Sequence, residues 1–110
     1  MDFAFVEHFV TYEAYRNKGY GSEVLSCLKQ KHSALVLEAE PPQTDIQKRR
    51  IAFYERNGFL QNPQKYIQPA YRKDGNGVEL VLMSSPSRLA DFYGTVREIY
   101  TNVYEIGGEL

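Results

Sequence analysis

The stretch YRNKGYGSEVL, residues Tyr15 to Leu25, decides how the chain is read, because within it two glycines, Gly19 and Gly21, stand where a helical pattern begins. Glycine accepts tight backbone turns and lets main chain approach a ligand closely. The first amides of a helix lack intrahelical acceptors, and with the helix dipole they favour an anion. Arg16 and Lys18 add positive charge at the same place. A phosphate or diphosphate fits such a turn. The dinucleotide fingerprint would need glycine where Val24 stands, and the NTPase phosphate loop would need Gly-Lys-Ser/Thr at its end; neither is present. A plain strand-to-helix turn with a solvated basic rim remains the alternative on this stretch alone.

The flanking patterns place the turn. FAFVEHFVT, Phe3 to Thr11, alternates as a strand, apolar on both faces, which predicts an interior strand. From Tyr20 the period becomes helical, with Tyr20, Val24, Cys27, Leu28 and Lys31 as the stripe. ALVLEAE, Ala34 to Glu40, is apolar and stops at Pro41 and Pro42, as a buried strand does. Strand, turn, helix and strand form a βαβ unit, so the two strands are predicted parallel. Thr44 and Gln47 have capping-box spacing ahead of a second helix from Asp45. Asn57 and Gly58 are set to close it.

Beyond it, FLQNPQKYIQPAYR reads as an interrupted strand, KDGNG as a turn and VELVLMSS as a strand apolar on both faces, predicting an antiparallel hairpin on the sheet's edge. Leu89, Phe92, Val96, Ile99, Tyr100 and Val103 recur at helical spacing, with Gly107 and Gly108 ending the pattern. Cys27 is read as core. Glu38 and Glu40 are read as solvated, although contact with substrate is the alternative. Tyr66 and Tyr71 are read as packing residues, outside the site.

Composition bounds what such a fold does. The chain has 110 residues, 43% hydrophobic, and a formal net charge of -1 from interspersed acids and bases. One domain with a single modest core is predicted over 1–110. No whole-molecule field favours nucleic acid or an anionic membrane. No apolar run approaches the ~20 residues of a membrane-spanning helix. Nor do the first ten residues resemble a signal peptide, so a cytoplasmic protein is predicted. One cysteine excludes an internal disulfide framework, and two scattered histidines offer no metal-ligand spacing.

A second stretch, RRIAFYERNGF from Arg49 to Phe59, joins the first. RNKGYG, Arg16 to Gly21, resembles the Arg/Gln-X-X-Gly-X-Gly/Ala motif of the GNAT superfamily of acetyl-CoA-dependent N-acetyltransferases. FYERNGF, Phe53 to Phe59, resembles that family's following helix and turn, in the same order and at the same distance. The resemblance covers Phe3 to Ser85, and 86–110 carries an additional amphipathic helix. It implies an α/β fold of GNAT type: a mixed sheet with a βαβ coenzyme A-binding core, lacking the family's first strand and helices.

The resemblance also implies a site. The backbone amides of Arg16, Asn17, Lys18, Gly19, Tyr20, Gly21 and Ser22 would hold the coenzyme A diphosphate. Phe9, Val10 and Thr11 would pair with the pantetheine arm, the amide near Val10 acting as oxyanion donor. Gln47 stands where many relatives carry a coenzyme-contacting asparagine, and Arg49 and Arg50 would reach coenzyme phosphates from the second helix, a solvated pair being the alternative. Tyr54 would protonate the leaving thiolate, a phenol's pKa near ~10 being close to a thiol's. Glu7, between Phe5 and Phe9, is the candidate base for the amine; the alternatives are an ion pair or solvent exposure. His8 is a lesser candidate.

The implied reaction is direct transfer of acetyl from acetyl-CoA to a small-molecule or protein amine, without a metal. A catalytically silent coenzyme A-binding or interaction module is the alternative, and an unrelated nucleotide-binding α/β domain is a third reading. With the first elements of the fold missing, one sheet edge would be bare. A homodimer is therefore predicted, with that edge or the last helix in the interface.

Overall fold

The computed structural model describes residues 2–6, 20–69 and 77–105. Their element order is β1 (Ala4–Val6), α1 (Tyr20–Lys31), β2 (Leu35–Ala39), α2 (Asp45–Arg56), β3 (Leu60–Gln61), β4 (Tyr66–Gln68), β5 (Val78–Ser85) and α3 (Phe92–Asn102). The result is a mixed α/β fold. β1 pairs parallel to β2, with Ala4 opposite Leu35 and Val6 opposite Leu37. This is the predicted βαβ unit, closed through α1.

β5 runs antiparallel to β2, with Leu35 opposite Ser85 and Ala39 opposite Val81, and its other side takes both β3 and β4. The strand order is β1-β2-β5-β3, β4 pairing with β5 off that path. Two sequence expectations change here. The hairpin is not an appendage at the edge, because β5 lies inside the sheet. Its near-continuous apolar run marks a strand covered on both faces. Conversely, β1 pairs only with β2 among the described residues, so its two apolar faces report coverage above and below it rather than strands on either side.

That coverage comes from two cores. On one face, Leu35, Leu37 and Ala39 of β2 and Met83 of β5 pack with Leu25 of α1, Ile51 of α2 and Phe59, and Ala4 and Val6 join them. On the other, Val36, Leu82 and Tyr66 pack with Phe92 and Ile99 of α3, flanked by Phe3 and Phe5. The terminal helix thus spends its apolar stripe on the chain's own sheet. It ends at Asn102, not at the glycines, which lie outside the described residues. At Gly94, near its start, a Cβ would come within 2.2 Å of the Asp91 carboxylate that caps the helix, so a side chain there would displace the cap.

α1 turns a different side to the sheet from the one its apolar spacing suggested. Leu25 is fully buried, while Tyr20 and Val24 stay about half exposed and Cys27 is exposed. The inward stripe is Gly21, Ser22, Leu25, Leu28 and Lys29. Small residues permit close approach at one end of that stripe. At the other, the Lys29 stem runs inward until its Nζ donates to the Asn57 carbonyl and stands 5.6 Å from the Phe59 ring centroid. The second helix forms as its caps predict, with Thr44 as N-cap in a full capping box. Gly58 closes it at φ 88°, a left-handed conformation that favours glycine.

No helix among the described residues is long and apolar enough to cross a membrane. Asn62, 3% exposed, links the interrupted strand to the segment before α3. Its side-chain amide donates to Leu82 O and Ser84 Oγ, both at 3.0 Å, and its Oδ1 accepts the Leu89 amide at 2.8 Å. Asn62→Ala takes the acceptor from the Leu89 amide and a donor from Ser84 Oγ, while Leu82 O keeps the residue-62 backbone amide, and is expected to cost about 2 kcal/mol in chemical denaturation. An unchanged midpoint would remove this role.

Candidate functional site

The sequence candidates divide by what is described. Glu7, Phe9, Val10, Thr11, Arg16, Asn17, Lys18 and Gly19 lie outside the described residues. Tyr20, Gly21 and Ser22 form the first turn of α1, so residues of the glycine motif stand at the helix N-terminus, the end whose dipole favours an anion. That is an arrangement compatible with a diphosphate.

Gln47 and Arg50, one turn apart on α2, meet over Glu40. Gln47 Nε2 donates to Glu40 Oε2 at 2.9 Å, and Arg50 Nη1 lies 3.0 Å from Oε1. Gln47 Oε1 in turn accepts the Gln43 and Thr44 amides, each at 3.0 Å. Both candidates therefore have partners within the chain. The Arg50 pair is more than half exposed on each side, where ion pairs contribute little to stability.

Tyr54 sits half-buried on α2 against the core that contains Leu35, Leu37 and Ala39. Its ring is edge-on to Phe53 and to Phe59, with centroids 5.6 and 6.0 Å away. Burial raises its pKa above the ordinary phenol value, and the Arg50 charge acts in the opposite sense. The phenol is a proton donor at neutral pH.

On the opposite face of β2 stands a polar cluster that the sequence reading left out. Glu38 follows Leu37, the last described partner of β1, and shares its face with Val36. It is half-buried rather than solvated. Its carboxylate accepts the Tyr66 hydroxyl, Gln68 Nε2 at 3.2 Å and the Tyr104 hydroxyl at 2.8 and 2.9 Å to its two oxygens. Among the described residues no Lys, Arg or His forms an ion pair with it.

Tyr66 is 1% exposed, and its pKa is raised far above an ordinary phenol's by burial first, then by the hydrogen bond to Glu38 and that residue's charge. Burial and the Glu38 charge raise Tyr100 too, whose hydroxyl donates to the Ile67 carbonyl. Alternation along β2 was enough to place Glu38 on the Val36 face. Nothing local in the sequence announced partners as distant as Tyr66 and Tyr104. No group of three or more His, Cys, Asp or Glu among the described residues could hold a metal ion.

No protein-family model matches the chain, and no curated protein matches it. Among solved structures it is similar to a chain from Bacteroides thetaiotaomicron assigned to the GNAT family as a candidate acetyltransferase, at 36% identity and a TM-score of 0.85. The match covers 96% of this chain, reaching past residues 3–85 on which the motifs rested, and 61% of that one. The likeness read from RNKGYG and FYERNGF is thereby shown. The fold is a GNAT fold, present in part.

A buried phenol held neutral stabilises the folded state until the unfolded phenol begins to ionise, so its contribution is complete below pH 10 and declines above it. Stability is expected to fall from about pH 10 upward, and less steeply in Tyr66→Phe. Thermal denaturation across alkaline pH tests this, and identical slopes in the two proteins would refute it.

Proposed function

We propose that the chain carries out N-acetyl transfer, moving acetyl from acetyl-CoA directly to an amine within a ternary complex. The observation that carries the reading is the disposition of two proton-handling groups about one strand. Tyr54 packs on the Leu37 face of β2 and Glu38 projects from the other, beside the end of the described β1 pairing. Acyl transfer to an amine needs a proton removed on the side of attack and a proton delivered to the departing thiolate. Acceptor and donor on opposite faces meet that need.

The first turn of α1, with Arg16 to Gly19 before it, would bind the diphosphate, and Arg50 would add charge once Glu40 is displaced. Phe9 to Thr11 would carry the pantetheine and the oxyanion donor. An amine is mostly ammonium at neutral pH, and Glu38 is the base we assign. Glu7 is the second candidate, and the two are distinguished by replacement. The acceptor is a small-molecule or protein amine, and acetyl-CoA is the co-substrate. A coenzyme A-binding module without turnover is the competing outcome.

Thiol release from acetyl-CoA with spermidine, kanamycin or a short peptide with a free N-terminus tests the reading. Tyr54→Phe and Glu38→Gln are each expected to lower kcat about 100-fold, Glu7→Gln much less, with coenzyme A binding retained. Stabilisation by coenzyme A without amine-dependent release would leave the binding module; a larger loss in Glu7→Gln would move the base there. We also propose a homodimer through the outer edge of β1, supported by the absence of a second described strand beside it. Size-exclusion with light scattering is expected to give twice the mass of one chain, and a monomer at all concentrations would end this proposal.

A further inference from the structure

Glu38 is held from two directions, and one of them comes from the far end of the chain. Tyr104 lies 66 positions away in sequence, two residues beyond α3. Its backbone amide stays on the last helical turn, donating to Ile99 O at 3.2 Å, and Ile99 is fully buried against the sheet. Its hydroxyl has both roles filled: it donates to the Glu38 carboxylate and accepts from Gln68 Nε2 at 3.1 Å. A hydroxyl bound in both senses has no free rotation, so its direction is set before any substrate arrives.

The cluster is a poor device for stability. It keeps a half-buried carboxylate with neutral donors and, among the described residues, no counter-cation; such burial costs free energy that an uncharged side chain would avoid. A carboxylate retained on those terms is one whose charge and direction are used. Tyr66 and Gln68 approach it from β4, and Tyr104 closes the third side, spanning both oxygens. The β4 donors hold one oxygen each, Tyr66 on Oε2 and Gln68 on Oε1, and the Tyr104 hydroxyl, shared between both, narrows further a terminal torsion that is broad in glutamate.

We propose that Tyr104 is a positioning residue for acetyl transfer: through its hydroxyl, the segment after α3 orients the Glu38 carboxylate toward the acceptor amine. This rests on the assignment of Glu38 as base. It gives α3 a part in the reaction as well as in the core, since docking of Ile99 and the Tyr100 hydroxyl on Ile67 sets where Tyr104 stands.

The test is a double-mutant cycle in thiol release, using the full chain and whichever of spermidine, kanamycin or the free-N-terminal peptide gives turnover. Tyr104→Phe is expected to lower kcat about 10-fold while the KM for acetyl-CoA and the melting temperature stay close to wild type. In the Glu38→Gln background the same change is expected to cost nothing further. Gln68→Leu, which removes both the donor that fixes the Tyr104 hydroxyl and one direct donor to Glu38, should lower kcat at least as much; if Tyr104→Phe folds poorly, Tyr104→Leu takes its place in the cycle. Tyr93→Phe, on the exposed side of α3, is the control and should be silent.

If Glu38→Gln loses activity while Tyr104→Phe and Gln68→Leu keep full kcat, Tyr104 has no such role although the base assignment stands. Additive losses in the double mutant would show Tyr104 acting through the fold at large, and would likewise overturn it. Full activity in Glu38→Gln, or no turnover with any of the three amines, would overturn the reading beneath it.

Discussion

The arrangement depends on β2, a five-residue strand that must be covered on both faces and paired on both sides. Leu35, Leu37 and Ala39 require the α1–α2 layer, and Val36 requires α3. The parallel partner reaches it only through a crossover that includes α1. The antiparallel partner, β5, closes the other side and is itself buried toward its C-terminal end. With both its ladders and both its faces satisfied, β2 is a rigid rail. Residues attached to it hold their relative positions without local support, as a pre-organised site requires.

Rigidity of that kind explains why the two groups proposed to handle protons stand where they do. Tyr54 is reached through α2, whose start is fixed by the Thr44–Gln47 capping box and whose end is fixed by Gly58 and by Lys29 donating to the Asn57 carbonyl. Glu38 belongs to the strand itself. The first group keeps its proton because burial disfavours the phenolate. The second has hydrogen-bond donors arranged around it in place of a counter-ion. The two faces of one strand thus provide dissimilar surroundings within a few ångströms of sequence-adjacent backbone, Leu37 and Glu38 turning opposite ways.

Much of this was legible from local pattern. The parallel βαβ unit, the helix from Asp45 with its box and glycine stop, and the helical spacing after Leu89 follow from rules that act over a few residues. What went astray shows where such rules end. The buried stripe of α1 lies about one residue out of phase with its apolar spacing, because Tyr20, Val24 and Cys27 outweigh Gly21 and Ser22 in apolarity although the small residues are the ones that fit against the sheet. VELVLMSS was correctly apolar on both faces, yet its place between β2 and the broken strand is a matter of long-range pairing. Glu38 looked like an ordinary charged residue at the end of a strand because its partners come from β4 and from beyond α3.

By itself, then, the sequence determined the kinds of element and most of their ends, which are consequences of backbone sterics, capping and hydrophobic period, all short-ranged, and it carried the two motifs by which it resembles the GNAT superfamily. Only the tertiary structure decided which side of α1 is buried, that β5 lies within the sheet, that the last helix covers the chain's own core, and that Tyr66, Gln68 and Tyr104 converge on Glu38. Those outcomes depend on which surfaces meet once the chain is compact, and a hydrogen bond between residues 66 positions apart leaves no periodic trace in the residues that make it.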